Sequence, residues 1–91
     1  LMPAPQTILF EIGSGWALGT DKTQWMLMQW GGKLGMERWR PCSFIASTKA
    51  TLMRVIAEND VPIHAAGWAA LQALPERFLE WRKKEMPDVR T

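Results

Sequence analysis

The hydrophobic period of this chain changes once, near Ser47, and most of what can be read from it follows from that change. Between Thr7 and Gly13 apolar and polar positions alternate, the two-residue period of a strand. Ile8, Phe10 and Ile12 are expected on one face, with Leu9 and Glu11 on the other. Gly13-Ser14-Gly15 then reads as a turn, because glycine enters positive φ without a steric cost. Trp16 to Leu18 predicts a short second strand paired back on the first, and Gly19-Thr20-Asp21-Lys22 turns again. Gln24 to Trp30 is apolar at both parities, the pattern of a central strand covered on both faces. Gly31-Gly32-Lys33-Leu34-Gly35 is a glycine-rich connection expected to be flexible. Arg38 to Ile45 is a fourth extended segment. Pro41 has no N–H to give a ladder, which places that segment at an edge or in a bulge.

Beyond Ser47 the spacing becomes helical. Ser47 or Thr48 is a suitable N-cap, and Ala50, Leu52, Met53, Ile56 and Ala57 form an apolar stripe. Asn59-Asp60-Val61-Pro62 stops that helix. Ala65 to Leu74 predicts a second helix carrying Trp68 and Leu71. Pro75 kinks it or opens a third, whose apolar face is Phe78, Leu79 and Trp81, with Glu80 and Lys84 at the favourable i, i+4 spacing. Met86-Pro87 ends it. The expected fold class is α+β: a small antiparallel sheet of three to four strands, followed by two to three helices packed on one face. Residues 1–91 are expected to make one domain, mainly strand over 6–46 and mainly helix over 47–86, with flexible ends at 1–5 and 88–91.

Composition agrees with one globular domain, since 91 residues leave too few for two cores, and 47% hydrophobic with 22% charged is not a disordered balance. No apolar run approaches the ~20 residues that cross a bilayer. The start, Leu1-Met2-Pro3-Ala4-Pro5, lacks the basic and apolar regions of a secretory signal, and Leu1 reads as an extra residue before a natural Met2. With one cysteine, no intramolecular disulfide can form, so a reducing, cytoplasmic setting is expected. Cys42 itself, behind Pro41 in a strand, is expected to be a small, buried, inert thiol.

The residue inventory argues against an enzyme. His64 is the single histidine, and Cys42 with His64 cannot supply the four N/S ligands of a structural zinc site. His64, two residues after Pro62, reads as a helix-start residue. Glu76 and Glu80 share a helix face but stand among Arg77, Lys83 and Lys84, as on a solvated surface. Ser14 lies between glycines, yet Ile12 and Trp16 occupy the positions where a nucleophile elbow needs glycine. Gly13-Ser14-Gly15 with Gly19 lacks the dinucleotide-binding spacing, and Gly31-Gly32-Lys33 lacks the phosphate-loop spacing. Catalytic residues, cofactor-binding residues and metal ligands are therefore expected to be none.

Tryptophan is the most informative residue type. Six are present, Trp16, Trp25, Trp30, Trp39, Trp68 and Trp81, with no tyrosine. A core this small does not readily bury six indoles, each with an N–H that wants a partner. Either most line the sheet–helix core, or one or two form a binding patch, tryptophan being enriched at interface hot spots. Trp30 and Trp39 are the candidates, because they flank the glycine connection. Charge leads to the same region: from Asp21 to Arg54 six basic residues face two acidic ones, while the rest of the chain carries five basic and seven acidic. The candidate binding residues are therefore Trp30, Lys33, Arg38, Trp39 and Arg40. Basic side chains among aromatics can take single-stranded nucleic acid, or equally an acidic protein surface.

Strand, turn with Asp21-x-x-Gln24, strand, glycine-rich connection, Trp39-x-Pro41, and helices around Leu52 and Leu71: in this order the chain resembles a group of small phage and prophage accessory proteins of unassigned function. The resemblance spans about residues 8–80, departs from that group in its extra tryptophans and in Pro75, and implies a mobile-element origin without a mechanism. The expected function is a non-enzymatic binding module acting on a host or phage protein, an inhibitor of a bacterial defence system such as an anti-CRISPR protein being one form of it. The alternative is a small nucleic-acid-binding regulator that uses the basic, tryptophan-containing surface. Exposed indoles would also suit a homodimer. No membrane partner and no cofactor are expected.

Overall fold

The structure is a computed structural model that describes residues 7–31 and 37–85. Strands β1 (Thr7–Gly13), β2 (Trp16–Thr20), β3 (Trp25–Gly31) and β4 (Arg38–Ile45) come first, then helices α1 (Lys49–Glu58), α2 (Ala65–Gln72) and α3 (Phe78–Glu85). The strands form one antiparallel sheet in chain order, β1-β2-β3-β4, so each pairs with its neighbour in sequence. The α+β arrangement read from the change of period is the one observed, and β3, apolar at both parities, is an interior strand. The expected flexible ends at 1–5 and 88–91 and most of the glycine connection lie outside the described residues.

Turn chemistry sets the hairpins. Gly15 takes φ 79° in the β1–β2 turn, and its carbonyl accepts the Trp30 N–H at 2.9 Å, joining the turn to β3. In the β2–β3 turn the Asp21 carboxylate accepts from the Thr23 N–H (2.7 Å), the Thr23 hydroxyl (2.9 Å) and the Gln24 N–H (3.1 Å). Burial pushes the Asp21 carboxyl up, but these bonds and one from the Gln24 side chain outweigh it and hold the group below its ordinary value.

The parity expected for β1 is corrected by its register. Two shifts interrupt its pairing with β2, between Ile8 and Phe10 and between Glu11 and Gly13. Each inserts a residue without an opposite number and so exchanges the two faces from there on. Leu9, Phe10 and Ile12 consequently pack on the helix side, while Ile8 and Glu11, opposite Gly19 and Ala17, face the other way. Pro41 acts as expected: β4 is an edge strand, and its register shifts opposite Leu27 and Met28. Cys42 falls in that irregularity. It is exposed rather than buried, with its Sγ 3.6 Å from Gln29 Oε1.

The helices cover one face of the sheet. Ile12, Leu18, Trp25, Leu27 and Ile45 from the strands meet Leu52 and Ile56 of α1, Leu71 of α2, and Phe78 and Trp81 of α3. Trp25 is at the centre, fully buried, edge-on to Phe78 (5.4 Å, 89°) and Trp81 (6.2 Å, 61°). Among the described residues its indole N–H finds no acceptor. The helical stripes are narrower than the sequence suggests: Ala50, Ala57 and Leu79 are exposed. Glu80 forms no ion pair with Lys84, and its Oε1 instead accepts the Arg77 N–H at 3.3 Å.

Helix starts are capped by local and distant groups. Thr48 caps α1, its hydroxyl accepting the Thr51 N–H at 3.2 Å, and Glu76 Oε2 accepts the Ala50 N–H at 3.3 Å. Lys49 Nζ donates to the carbonyls of Gln72 (3.2 Å) and Leu74 (2.8 Å), placing a cation where α2 runs out of internal donors. His64 caps α2, its Nδ1 accepting the Gly67 N–H at 2.9 Å, which agrees with its reading as a helix-start residue. That cap lies against β1, where the His64 N–H donates to the Ile12 carbonyl at 3.0 Å. Two glycines permit this approach: a Cβ on Gly67 would overlap the Ile12 carbonyl, and one on Gly13 would overlap the Pro62 carbonyl.

Three stability outcomes follow. Gly67→Ala, which raises helix propensity by about 1 kcal/mol, should nevertheless destabilise by about 1–3 kcal/mol in denaturant unfolding, because the added methyl meets backbone. Trp25→Ala should cost about 3–5 kcal/mol and Trp25→Phe clearly less, since phenylalanine refills much of the space and removes an unpartnered N–H. Asp21 has a lowered folded pKa, so its contribution is complete above the unfolded value of about 4 and is lost as pH falls through the folded one. Acid unfolding of Asp21→Asn should therefore be less pH-dependent than wild type below about pH 4.

Candidate functional site

Among the described residues every helix packs on one side, and the other side of the sheet is built from strand residues. Alternation along β3 sends Trp25 and Leu27 toward the helices and Met26, Met28 and Trp30 away from them. Their neighbours on the helix-free face follow from register: Ala17 opposite Met28, Gly19 opposite Met26, Phe44 opposite Met26, and Trp39 opposite Trp30. Ala17, Met26 and Met28 are buried as a second, smaller core with Trp39 packed against it. Glycine at position 19 leaves room for this packing, since a Cβ there would stand 3.0 Å from Met28 Cγ.

Around this small core the face is apolar and exposed. The Trp30 and Trp39 rings meet edge-to-face with centroids 5.4 Å apart, as expected of a cross-strand aromatic pair. Trp39 is half-buried over the methionines, whereas Trp30 is 48% exposed. Phe44 at 57% and Ile8 at 38% continue the apolar surface on either side. Trp30 and Phe44 each leave roughly 100 Å² of ring uncovered, taking ~200 Å² for a whole aromatic side chain. Patches of a few hundred Å² on a small protein commonly mark contact surfaces. From the described strands, Glu11 is the one charged residue whose position faces this side.

The five residues singled out in the sequence are thus divided. Trp30 and Trp39 come together. Arg38 and Arg40 do not join them: they are cross-strand neighbours of Gly31 and Gln29, positions of opposite parity to Trp30. The Arg40 guanidinium lies 3.6 Å from where a Gly31 Cβ would be, on the side of β3 away from Trp30. Lys33 lies outside the described residues. Sequence reasoning missed Phe44 and Ile8. Neither was legible from alternation: Phe44 is of opposite parity to Trp39 and Pro41 and joins their face only through the shift at Cys42, as Ile8 does through the shift in β1.

A second apolar feature lies between α1 and α2, an open groove of about 490 Å³ beside Trp68, which is 48% exposed. Among the described residues no cluster of three or more His, Cys, Asp or Glu is placed to hold a metal ion, and no helix is long and apolar enough to cross a membrane. No protein family, curated protein or solved structure matches this chain.

Proposed function

We propose that the chain is a non-enzymatic binding module that grips a protein partner through the helix-free face of its sheet. The observation that carries this reading is the exposed Trp30–Trp39 pair, continued by Phe44 and Ile8, on a face with a single strand-borne charge. Tryptophan in a desolvated contact contributes more than its share of binding energy, and the methionines beneath give the pair a backing that adapts to what it meets. The non-enzymatic part rests on the residue inventory: the one histidine spends its Nδ1 on a helix cap, and the one cysteine stands beside Gln29 on the surface. Action on a host or phage protein, with defence inhibition as one form, rests only on the resemblance to phage accessory proteins.

Nucleic acid fits this face less well. A single-strand platform needs aromatic rings and phosphate-binding cations on one surface. Here the alternation of β4 directs Arg38 and Arg40 to the side opposite Trp30 and Trp39.

Trp30 and Phe44 are the informative positions to truncate, because Trp39 also shields buried methionines. Trp30→Ala with Phe44→Ala should change unfolding stability by less than about 1 kcal/mol yet abolish retention of partner proteins from a bacterial extract. Leu79→Ala, at a still more exposed apolar residue on α3, should retain them. Titration with single-stranded DNA at low and moderate salt checks the alternative: tight binding that falls steeply with salt would replace the protein-partner reading.

A further inference from the structure

The groove between α1 and α2 is separate from the sheet face and has a chemistry of its own. Its floor is Ile56 and Val61, both buried, and its walls are Met53 of α1, Ile63 of the connection and the half-exposed Trp68 indole. At about 490 Å³ it lies within the size range of sites that take a side chain or a small ligand. Its polarity is one-sided. Asp60 is the one charged residue on its lining, and no basic residue lines it.

Three features make that end of the groove negative. Asp60 stands just past the C-cap Asn59, held at φ 52° by its N–H bond to the Ala57 carbonyl at 3.1 Å. Its carboxylate has no hydrogen-bond or ion-pair partner among the described residues, whereas the neighbouring Glu58 is engaged by Arg54 at 3.8 Å. Asp60 also lies at the C-terminal end of α1, the negative end of its helix dipole. On the same lining, Trp68 offers a partly exposed indole, the aromatic ring that attracts cations most strongly.

We infer that this groove is a second docking site, for a polypeptide segment of a partner that places an apolar side chain beside a lysine or arginine. The apolar side chain covers Met53, Ile56 and Ile63, while the cation meets the Asp60 carboxylate and the Trp68 face. A long basic side chain suits this arrangement, because its stem lies on apolar surface while its head stays at the polar rim. The groove is open to solvent rather than enclosed, so a strip of polypeptide can lie in it and continue beyond its ends, which favours that occupant over a free organic cation.

Amide and indole N–H spectra of the ¹⁵N-labelled full chain test this. The probes are acetyl-leucyl-lysyl-leucine amide, its norleucine analogue lacking the ammonium, its glutamyl analogue, and n-butylammonium alone. The lysyl peptide should shift the Trp68 indole and the Asp60 and Ile63 amides while the Trp30 indole stays in place. The norleucyl peptide should bind about fivefold more weakly, and the glutamyl peptide more weakly still. Asp60→Asn is a sound variant because asparagine accepts positive φ. It should bring the lysyl peptide most of the way down to the affinity of the norleucyl one, the remaining difference being the contact of the cation with the Trp68 ring. Equal binding of those two peptides to wild type, shifts confined to Trp30, or no shift at Trp68 with any peptide up to about 10 mM would overturn the inference. Butylammonium binding as tightly as the lysyl peptide would also overturn it, in favour of a free-cation site. Because Trp30 and Trp68 report separately, failure here leaves the reading of the sheet face standing, and the reverse.

Discussion

The arrangement depends on one close approach, that of the α1–α2 connection and the start of α2 to the backbone of β1. Gly13 lets the Pro62 carbonyl come against the strand, Gly67 lets the first turn of α2 come against Ile12, and the His64 N–H closes the contact on the Ile12 carbonyl. A side chain at either glycine would have to occupy space held by backbone, which cannot be repacked as a side chain can. This contact seats α2 on β1. It turns Leu71 into the core and leaves Trp68 on the outside, at the edge of the α1–α2 groove.

With α2 seated, the other two helices are secured by stitches at their starts. Lys49 reaches the carbonyls of Gln72, at the end of α2, and of Leu74 just past it, Glu76 reaches the first turn of α1, and Thr48 and Arg77 form a short antiparallel bridge. The side chain of one element satisfies the orphaned backbone of the next, so the three short helices behave as one layer despite weak individual stability. That layer places Phe78 and Trp81 against Trp25 and spends the apolar surface of one sheet face only.

The opposite face follows from what the layer does not cover. β3 is apolar at every position from Trp25 to Met28, so a sheet clothed on one side still has methionines to bury on the other. Part of that is resolved internally by Trp39 lying over Met26 and Met28. The remainder, Trp30, Phe44 and Ile8, stays at the surface. The two-residue period that brings the tryptophans together is the same one that directs the arginines beside Trp39 away from them.

Much of this was determined by the sequence alone. The change of period near Ser47, the glycine and Asp21 turns, the Thr48 cap and the edge position of the Pro41 strand are local matters, set by dihedral preferences and hydrogen bonds within a few residues. The pairing of Trp30 with Trp39 could be suspected because both flank one connection. What local pattern could not supply was parity and cover. The register shift between Ile8 and Phe10 breaks the parity of β1, which places Ile8 and Glu11, three residues apart, together on the open face. The shift in β4 puts Cys42 outside rather than in the core. Whether Trp68 and Leu79 were core or surface depended on how each helix rolls against the sheet. For α2 that rotation is set by the Gly13 and Gly67 contacts, between residues far apart in the chain, and the spacing of apolar residues along one helix carries no record of it.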